Sequence, residues 1–197
     1  YAASGITDTH EAEEKNFAND LLESGLWIFL RGGNPNTPWN SLPEAIKTVT
    51  ELGADPKRVC VCTDDRDADD LFEFGLDWVV REAKNLGIKN TTAWSLGSLN
   101  PATRFNIDND YGALGHSRRA DIVMINESFE VQNTWLGGKL VVENNKITHL
   151  LDEQLSKKRY KYPNKAYKPV KLPQKYNLLP PIPNKDYFKI NVIKTEL

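Results

Sequence analysis

The apolar positions of this chain change their period several times, and each change marks an element. Over 12–24, Phe17, Ala18, Leu21 and Leu22 recur at helical spacing. Gly25 follows, where a left-handed residue commonly ends a helix. Leu26-Trp27-Ile28-Phe29-Leu30 is an unbroken apolar run with aromatic and β-branched members, which predicts a buried strand. After a Gly-, Asn- and Pro-rich loop over 32–38, Ser41 stands as the cap of a second helix. That helix has Pro43 in its first turn, Ile46, Val49 and Leu52 on one face, and Gly53 at its close. Residues 58–62 predict the next strand, and a third helix over 69–85 is expected to bury Leu71, Trp78, Val79 and Leu86. A short strand over 5–7 precedes the first helix. Strands alternating with helices through short connections imply right-handed crossovers and a parallel sheet.

From residue 91 the pattern changes. A helix over 91–99 is followed by Pro101, which can open another helical turn, and by a glycine-punctuated stretch over 112–115. Strands over 122–125, 139–142 and 147–150, separated by Gly137-Gly138 and Asn144-Asn145, predict a short antiparallel unit. The class is therefore α/β. Three βα units in about 85 residues match the spacing of a TIM-type (β/α)8 barrel, where eight units fill about 250. An open doubly wound sheet is the other parallel arrangement, although its glycine fingerprint for dinucleotides is missing. The expected division is a partial barrel over 1–105, a small β domain segment over 106–155, and an extended linker opening a further domain over 156–197.

Composition narrows the partners. The 197 residues carry a net charge of -2, with both signs mixed through most of the chain. That balance offers no electrostatic reason for binding nucleic acid or an anionic membrane. No apolar run is long enough to span a bilayer and no signal segment opens the chain, so a soluble cytoplasmic protein is expected. Lys157, Lys158, Arg159, Lys161, Lys165, Lys168, Lys171 and Lys175 alternate with tyrosines and prolines in the tail. A Pro-rich linker with solvated lysines is the commoner origin of such a tract, and a nucleic-acid patch the alternative. Cys60 and Cys62 fall two apart on a predicted strand, poorly placed to bond each other, and read as buried thiols. The chain opens on Tyr1, has Met124 as its one methionine, and ends soon after a strand-like Ile190-Asn191-Val192-Ile193. A fragment of a longer protein is the expectation at both ends.

Two candidate chemical groups follow predicted strands, at the end where parallel barrels keep their active sites. Asp8-Thr9-His10-Glu11 follows the first strand, and Thr63-Asp64-Asp65-Arg66 the third. An imidazole and a carboxylate at neighbouring strand ends begin a divalent-metal site, but a catalytic metal wants three or more protein ligands. Taken alone, Glu11 and Asp64-Asp65 also suit ordinary helix starts.

Several strings together resemble the adenine deaminases of the metal-dependent amidohydrolase superfamily. Val59-Cys60-Val61-Cys62-Thr63-Asp64-Asp65-Arg66 with Asp69-Asp70-Leu71 is similar to their eighth barrel strand. Gly5-Ile6 through His10-Glu11 is similar to their sixth, and Leu30-Arg31-Gly32 to the end of their seventh. Ser98-Leu99-Asn100-Pro101-Ala102-Thr103-Arg104, then Gly112, Gly115 and Arg118-Arg119-Ala120-Asp121, resemble the passage from the barrel into a small β domain. Asn133-Thr134-Trp135 and Gly137-Gly138-Lys139-Leu140-Val141-Val142 resemble strands of that domain. Tyr160-Lys161-Tyr162-Pro163 and Asp186-Tyr187-Phe188-Lys189-Ile190 resemble the linker towards a further domain.

The resemblance implies a hydrolase of purine salvage that converts adenine to hypoxanthine and ammonia with metal-activated water. It implies His10 and Asp64 as metal ligands, Asp64 and Glu11 as catalytic groups, and Arg31 and Asp65 as substrate contacts. The implied cofactor is a divalent metal (manganese or iron, or zinc), most of whose ligands would lie outside this chain. The implied partner is a small purine base, with homo-oligomer formation left open. Two departures matter. The family places Asp directly before this His, whereas Thr9 stands here with Asp8 one position earlier. The paired histidines of the first strand, the bridging carboxylate and the fifth-strand histidine have no counterpart, so the chain alone is expected to be inactive. Another cyclic-amide or purine amidohydrolase, or a non-enzymatic truncated remnant, are the alternatives.

Overall fold

A computed structural model of the chain describes residues 2–157. Two units divide the chain, Tyr1–Glu153 and Gln154–Leu197; apart from the end of the last helix, every element below belongs to the first. The expected linker falls almost wholly, and the strand over 190–193 entirely, outside the described residues.

Strand β1 (Asp8–Thr9) leads to helix α1 (Lys15–Glu23), β2 (Trp27–Arg31), the short turns of helix α2 (Leu42–Ala45) and α3 (Lys47–Thr50), and β3 (Val59–Cys62). These strands form a parallel sheet in the order β1-β2-β3, with Thr9 beside Ile28 and Arg31 beside Cys62. Helices α4 (Ala68–Glu73), α5 (Leu76–Asn85), α6 (Asn90–Gly97) and α7 (Leu99–Arg104) follow. A four-stranded antiparallel sheet in sequence order comes next: β4 (Ile122–Ile125), β5 (Val131–Leu136), β6 (Lys139–Glu143) and β7 (Lys146–Ile147), then α8 (His149–Lys157).

The core lies between the parallel sheet and its helices because strand side chains alternate in direction. Ile28, Leu30, Val59 and Val61 send one row into a cluster with Leu21, Leu42, Ile46, Val79, Val80 and Leu96. Each fully buried aliphatic side chain there stabilises by roughly 1.5–3 kcal/mol. The other row carries Phe29 and Arg31 on β2, with Cys60 and Cys62 on β3. Phe105, just after α7, packs on Phe29 with ring centroids 5.9 Å apart.

Several expectations are corrected. The first strand is Asp8–Thr9 rather than 5–7, and α1 begins at Lys15 rather than near Ala12, because Glu14 is still extended at φ -133, ψ 162. Ser41 makes no capping bond; its hydroxyl oxygen instead accepts from the Arg31 amide at 3.3 Å. Leu52, expected on the buried face of the second helix, is exposed. The helix over 69–85 is two helices. Phe74 (φ -118, ψ 48) and Gly75 (φ -66, ψ -179) break it, and Leu71, expected buried, lies exposed with Phe72. Gly is a poor helix interior residue, and a fresh start at Gly75 lets Val79, Val80 and Ala83 of α5 face the core. The strand over 147–150 ends at Ile147. The Thr148 amide and hydroxyl bond back to Val141 and Leu140, and its carbonyl takes the Leu151 and Asp152 amides, starting α8. Cys60 and Cys62 are free thiols, as expected; Cys60 is buried, whereas Cys62, expected buried too, is half-buried at the end of β3. Among the described residues no helix is long and apolar enough to cross a membrane.

Candidate functional site

The parallel register brings the ends of β1, β2 and β3 together, and one guanidinium joins them. Arg31, the last residue of β2, is only 7% exposed. Its Nη1 lies 3.1 Å from Glu11 Oε2 beyond β1 and 3.5 Å from Asp64 Oδ2 beyond β3; its Nη2 lies 3.5 Å from Glu13 Oε1. Its Nε is buried with no partner among the described residues. His10 adds a further link, with Nε2 3.2 Å from Glu11 Oε1. The cluster therefore runs His10–Glu11–Arg31–Asp64, one fixed cation against three carboxylates.

Local geometry explains how these side chains are presented. Thr9 is buried, and its Oγ1 accepts from the Glu11 amide at 3.2 Å, turning the chain out of β1. Asp8 pairs with Arg104 of α7, while the imidazole of His10 pairs with Glu11. Asp64 holds φ 58, a left-handed conformation that costs a non-glycine residue roughly 1–2 kcal/mol. Its own Oδ1 offsets part of that by accepting from the Asp65 amide at 2.9 Å.

Next to this cluster sits Arg66. Its Nε donates to the Thr63 carbonyl at 2.8 Å, Nη1 to Thr37 Oγ1 at 2.8 Å and Nη2 to the Gly32 carbonyl at 3.2 Å. The same guanidinium lies over the Trp39 ring, 5.6 Å from its centroid. A second link joins the loop after β2 to α4, from Asn34 Nδ2 to Asp70 Oδ1 at 3.0 Å.

Two thiols lie on the strand that leads to this cluster. Burial pushes Cys62 up to about 11, with the Asp64 amide and the Arg31 and Arg66 charges opposing it. Burial pushes Cys60 up to about 12. Thiols that high are protonated at neutral pH where no cation engages them.

The expected site residues thus gather in part. His10, Glu11, Arg31 and Asp64 belong to one connected cluster. Asp65 is exposed and contributes its amide, and Arg31 turns inward to carboxylates. Glu13 is not among the sequence candidates, and Arg66 stands in a candidate string without a role of its own. The signal for Glu13 was its place two residues after Glu11, and for Arg66 its place in the string after β3. Nothing local signalled the bonds from Arg66 to Gly32 and Thr37.

An imidazole and a carboxylate suit a divalent metal of the first transition row in kind, and the surplus negative charge suits it in sign. They do not suit it in number. Among the described residues no three His, Cys, Asp or Glu side chains gather to hold an ion.

The amidohydrolase family profile matches residues 10–141, more than half of the chain. This chain belongs to the amidohydrolase family. Members of the family generally depend on a divalent metal. The adenine deaminase of Chelativorans sp. (strain BNC1) is 59% identical over all 197 residues, and the adenine deaminase of Rubrobacter xylanophilus is 35% identical over 156. The amidohydrolase chain spans about a third of the Chelativorans protein, 32% of its length. Among solved structures, the β-aspartyl dipeptidase of Fervidobacterium islandicum AW-1 matches with a TM-score of 0.56 at 18% identity, covering 71% of this chain and 40% of its own. An amidohydrolase of Thermotoga maritima matches with a TM-score of 0.53 at 16% identity, covering 71% and 37%. At that identity the likeness establishes the α/β amidohydrolase fold alone.

Proposed function

We propose that this chain carries the last three βα units of an adenine deaminase barrel and the start of its small β domain. The partial barrel would cover 1–105, the β domain segment 106–155, and a linker into a further domain 156–197. The single observation that supports a site here is the convergence of three strand ends on Arg31, with Glu11 and Asp64 on its Nη1 at 3.1 and 3.5 Å. The 59% identity to proteins named adenine deaminase supports adenine as the substrate.

In the complete enzyme, His10 and Asp64 would be this chain's share of the ligands to a divalent metal (manganese or iron, or zinc). That metal would supply a water acidified enough to attack at neutral pH. Adenine and water then give hypoxanthine and ammonia: a C–O bond forms at C6 and the bond from C6 to the exocyclic nitrogen breaks. Asp64 accepts the proton of the attacking water and delivers it to the purine ring or the departing ammonia. Glu11 holds His10 through their 3.2 Å contact while sharing Arg31, so it orients the imidazole. Arg31 and Asp65 line the substrate side. The setting would be cytoplasmic purine salvage, with no nucleic acid or membrane partner and room for a homo-oligomer.

Alone, the 197-residue chain has two metal donors at this site and is expected to turn over no adenine. The test is ammonia release and the adenine-to-hypoxanthine absorbance change, measured on the metal-loaded full-length protein. Turnover is expected, and Asp64→Asn should lower it by about 10²–10⁴-fold. A folded, metal-loaded full-length protein that spares adenine but hydrolyses another cyclic amide would replace this reading with that of a sister amidohydrolase.

A further inference from the structure

The backbone ladder between β2 and β3 stops at the site. Its last bond runs from the Gly32 amide to the Cys62 carbonyl at 2.9 Å. One residue further along each strand, the carbonyls of Gly32 and Thr63 are free of the ladder, and both accept from Arg66. Those two residues directly follow Arg31 and directly precede Asp64. A single planar guanidinium, rigid across its five donors, therefore replaces the ladder where the strands part.

The surrounding residues are arranged around this clamp. Thr37 Oγ1 takes the remaining Nη1 bond at 2.8 Å, and Trp39 covers the guanidinium face at 5.6 Å. Gly33, at φ 153, passes so close that an added Cβ would sit 2.9 Å from the Arg66 Nε and Nη2. That backbone angle favours glycine, and a side chain there would push the guanidinium off its partners. Lysine could satisfy the charge but not both carbonyls in the same plane.

We propose that Arg66 is a positioning residue: by holding the Gly32 and Thr63 carbonyls together, it sets the spacing between Arg31 and Asp64. Its catalytic consequence rests on the deaminase reading, because Asp64 is the proton-transfer group there. Its geometric consequence does not. Arg66 touches neither the substrate nor the metal in this account. It acts through the loop that puts Asp64 at its left-handed φ.

Two measurements test it. In the full 197-residue chain, amide hydrogen exchange is followed in the loops over 32–40 and 63–67 for the parent, Arg66→Lys and Arg66→Ala, with circular dichroism confirming the fold. Exchange in both loops is expected to rise about tenfold in both variants, as local opening becomes easier. Added guanidinium ion should restore protection in Arg66→Ala. A change in one loop only, in neither, or without rescue would overturn the clamp. In the metal-loaded full-length enzyme, Arg66→Ala should lower kcat about 10²-fold and raise KM through the loosened Arg31, with partial guanidinium rescue of kcat. Unchanged kcat would overturn the positioning role. A parent enzyme inert towards adenine would count against the deaminase reading alone, since the exchange measurement uses no substrate.

Discussion

Arg31→Met separates a guanidinium kept for the fold from one kept for the site. Glu11 and Glu13, its partners at 3.1 and 3.5 Å, have side chains 57% and 74% exposed. Both carboxylates keep their water when the guanidinium is removed, so each pair contributes about 0.2–1 kcal/mol and together they give roughly 1 kcal/mol. Asp64 is less exposed, at 24%, but its contact is long at 3.5 Å, which places it near the low end of charged hydrogen bonds, about 1.5 kcal/mol. The losses then sum to roughly 2–3 kcal/mol. Against them stand the orphaned Nε, worth about 1–3 kcal/mol as a buried unsatisfied donor, and the cost of holding a whole guanidinium out of water. Methionine keeps most of the length and apolar stem of the side chain. The expected net change is within about 1 kcal/mol in either direction, read as the urea midpoint of the 197-residue chain at constant m-value. A loss above about 3 kcal/mol would refute the reasoning, because the carboxylates would then depend on Arg31 more than their exposure allows.

Other outcomes follow from contacts elsewhere. Gly32→Ala places a Cβ 2.5 Å from Val79 Cγ1 and 3.2 Å from Leu42 Cδ2, so overpacking should cost about 1–3 kcal/mol by urea denaturation. A neutral result would mean that the joint between β2 and α5 is looser than described. Burial holds Cys62 at about 11 against an ordinary 9.0, so the native thiolate fraction at pH 8 is about 100-fold below the unfolded one. Iodoacetamide labelling of Cys62 should slow accordingly on folding; equal rates in buffer and in urea would contradict the burial. The same shift has a sign for stability. Both folded thiols keep their protons while unfolded ones lose theirs, so stability should fall from pH 9 towards about 12, and less steeply in Cys62→Ala. Asp121 runs the other way. Its side-chain bond to Arg119 and the Gly137 amide hold it below its ordinary 3.8, so its contribution is full above that pH and disappears as pH falls further.

What was legible in the sequence follows the range of the forces involved. Strands β2 and β3 are apolar runs, and their hydrophobic pattern alone announces them. β1 is invisible by that route. It consists of Asp8 and Thr9, and it is a strand because Ile28 and Trp27 lie alongside and because Arg104, far along the chain, takes Asp8. The break at Phe74–Gly75 was equally hidden. Leu71 and Trp78 keep helical spacing across it, and only the depth of the core decides which side of each turn is covered. At the site, His10 and Asp64 could be named from their places after strands. The inward turn of Arg31 could not, since it depends on Glu13 and on a register that spacing does not encode. Arg66 lies directly after Asp64-Asp65, yet its partners Gly32 and Thr37 lie in another loop.

The charge balance around Arg31 then bears on why such a cluster persists. Three carboxylates facing one guanidinium leave two negative charges uncompensated, and Asp64 is held there at a backbone angle that costs energy. Glu11 and Glu13 keep most of their surface in water, so the desolvation cost falls on Arg31 and Asp64. An excess of two negative charges beside an imidazole is what a divalent cation neutralises, with Arg31 carrying the remainder. On this view metal binding and fold stability are linked. A cation that engages Asp64 in the folded state and finds no such site in the unfolded chain must raise the urea midpoint of the complete enzyme, by an amount that grows with metal concentration. Asp64→Asn should remove most of that increment, with the metal-free stability lowered by no more than the roughly 1.5 kcal/mol of the contact to Arg31. An increment unchanged in Asp64→Asn would place the metal elsewhere, and would leave the strained carboxylate as a partner of Arg31 alone.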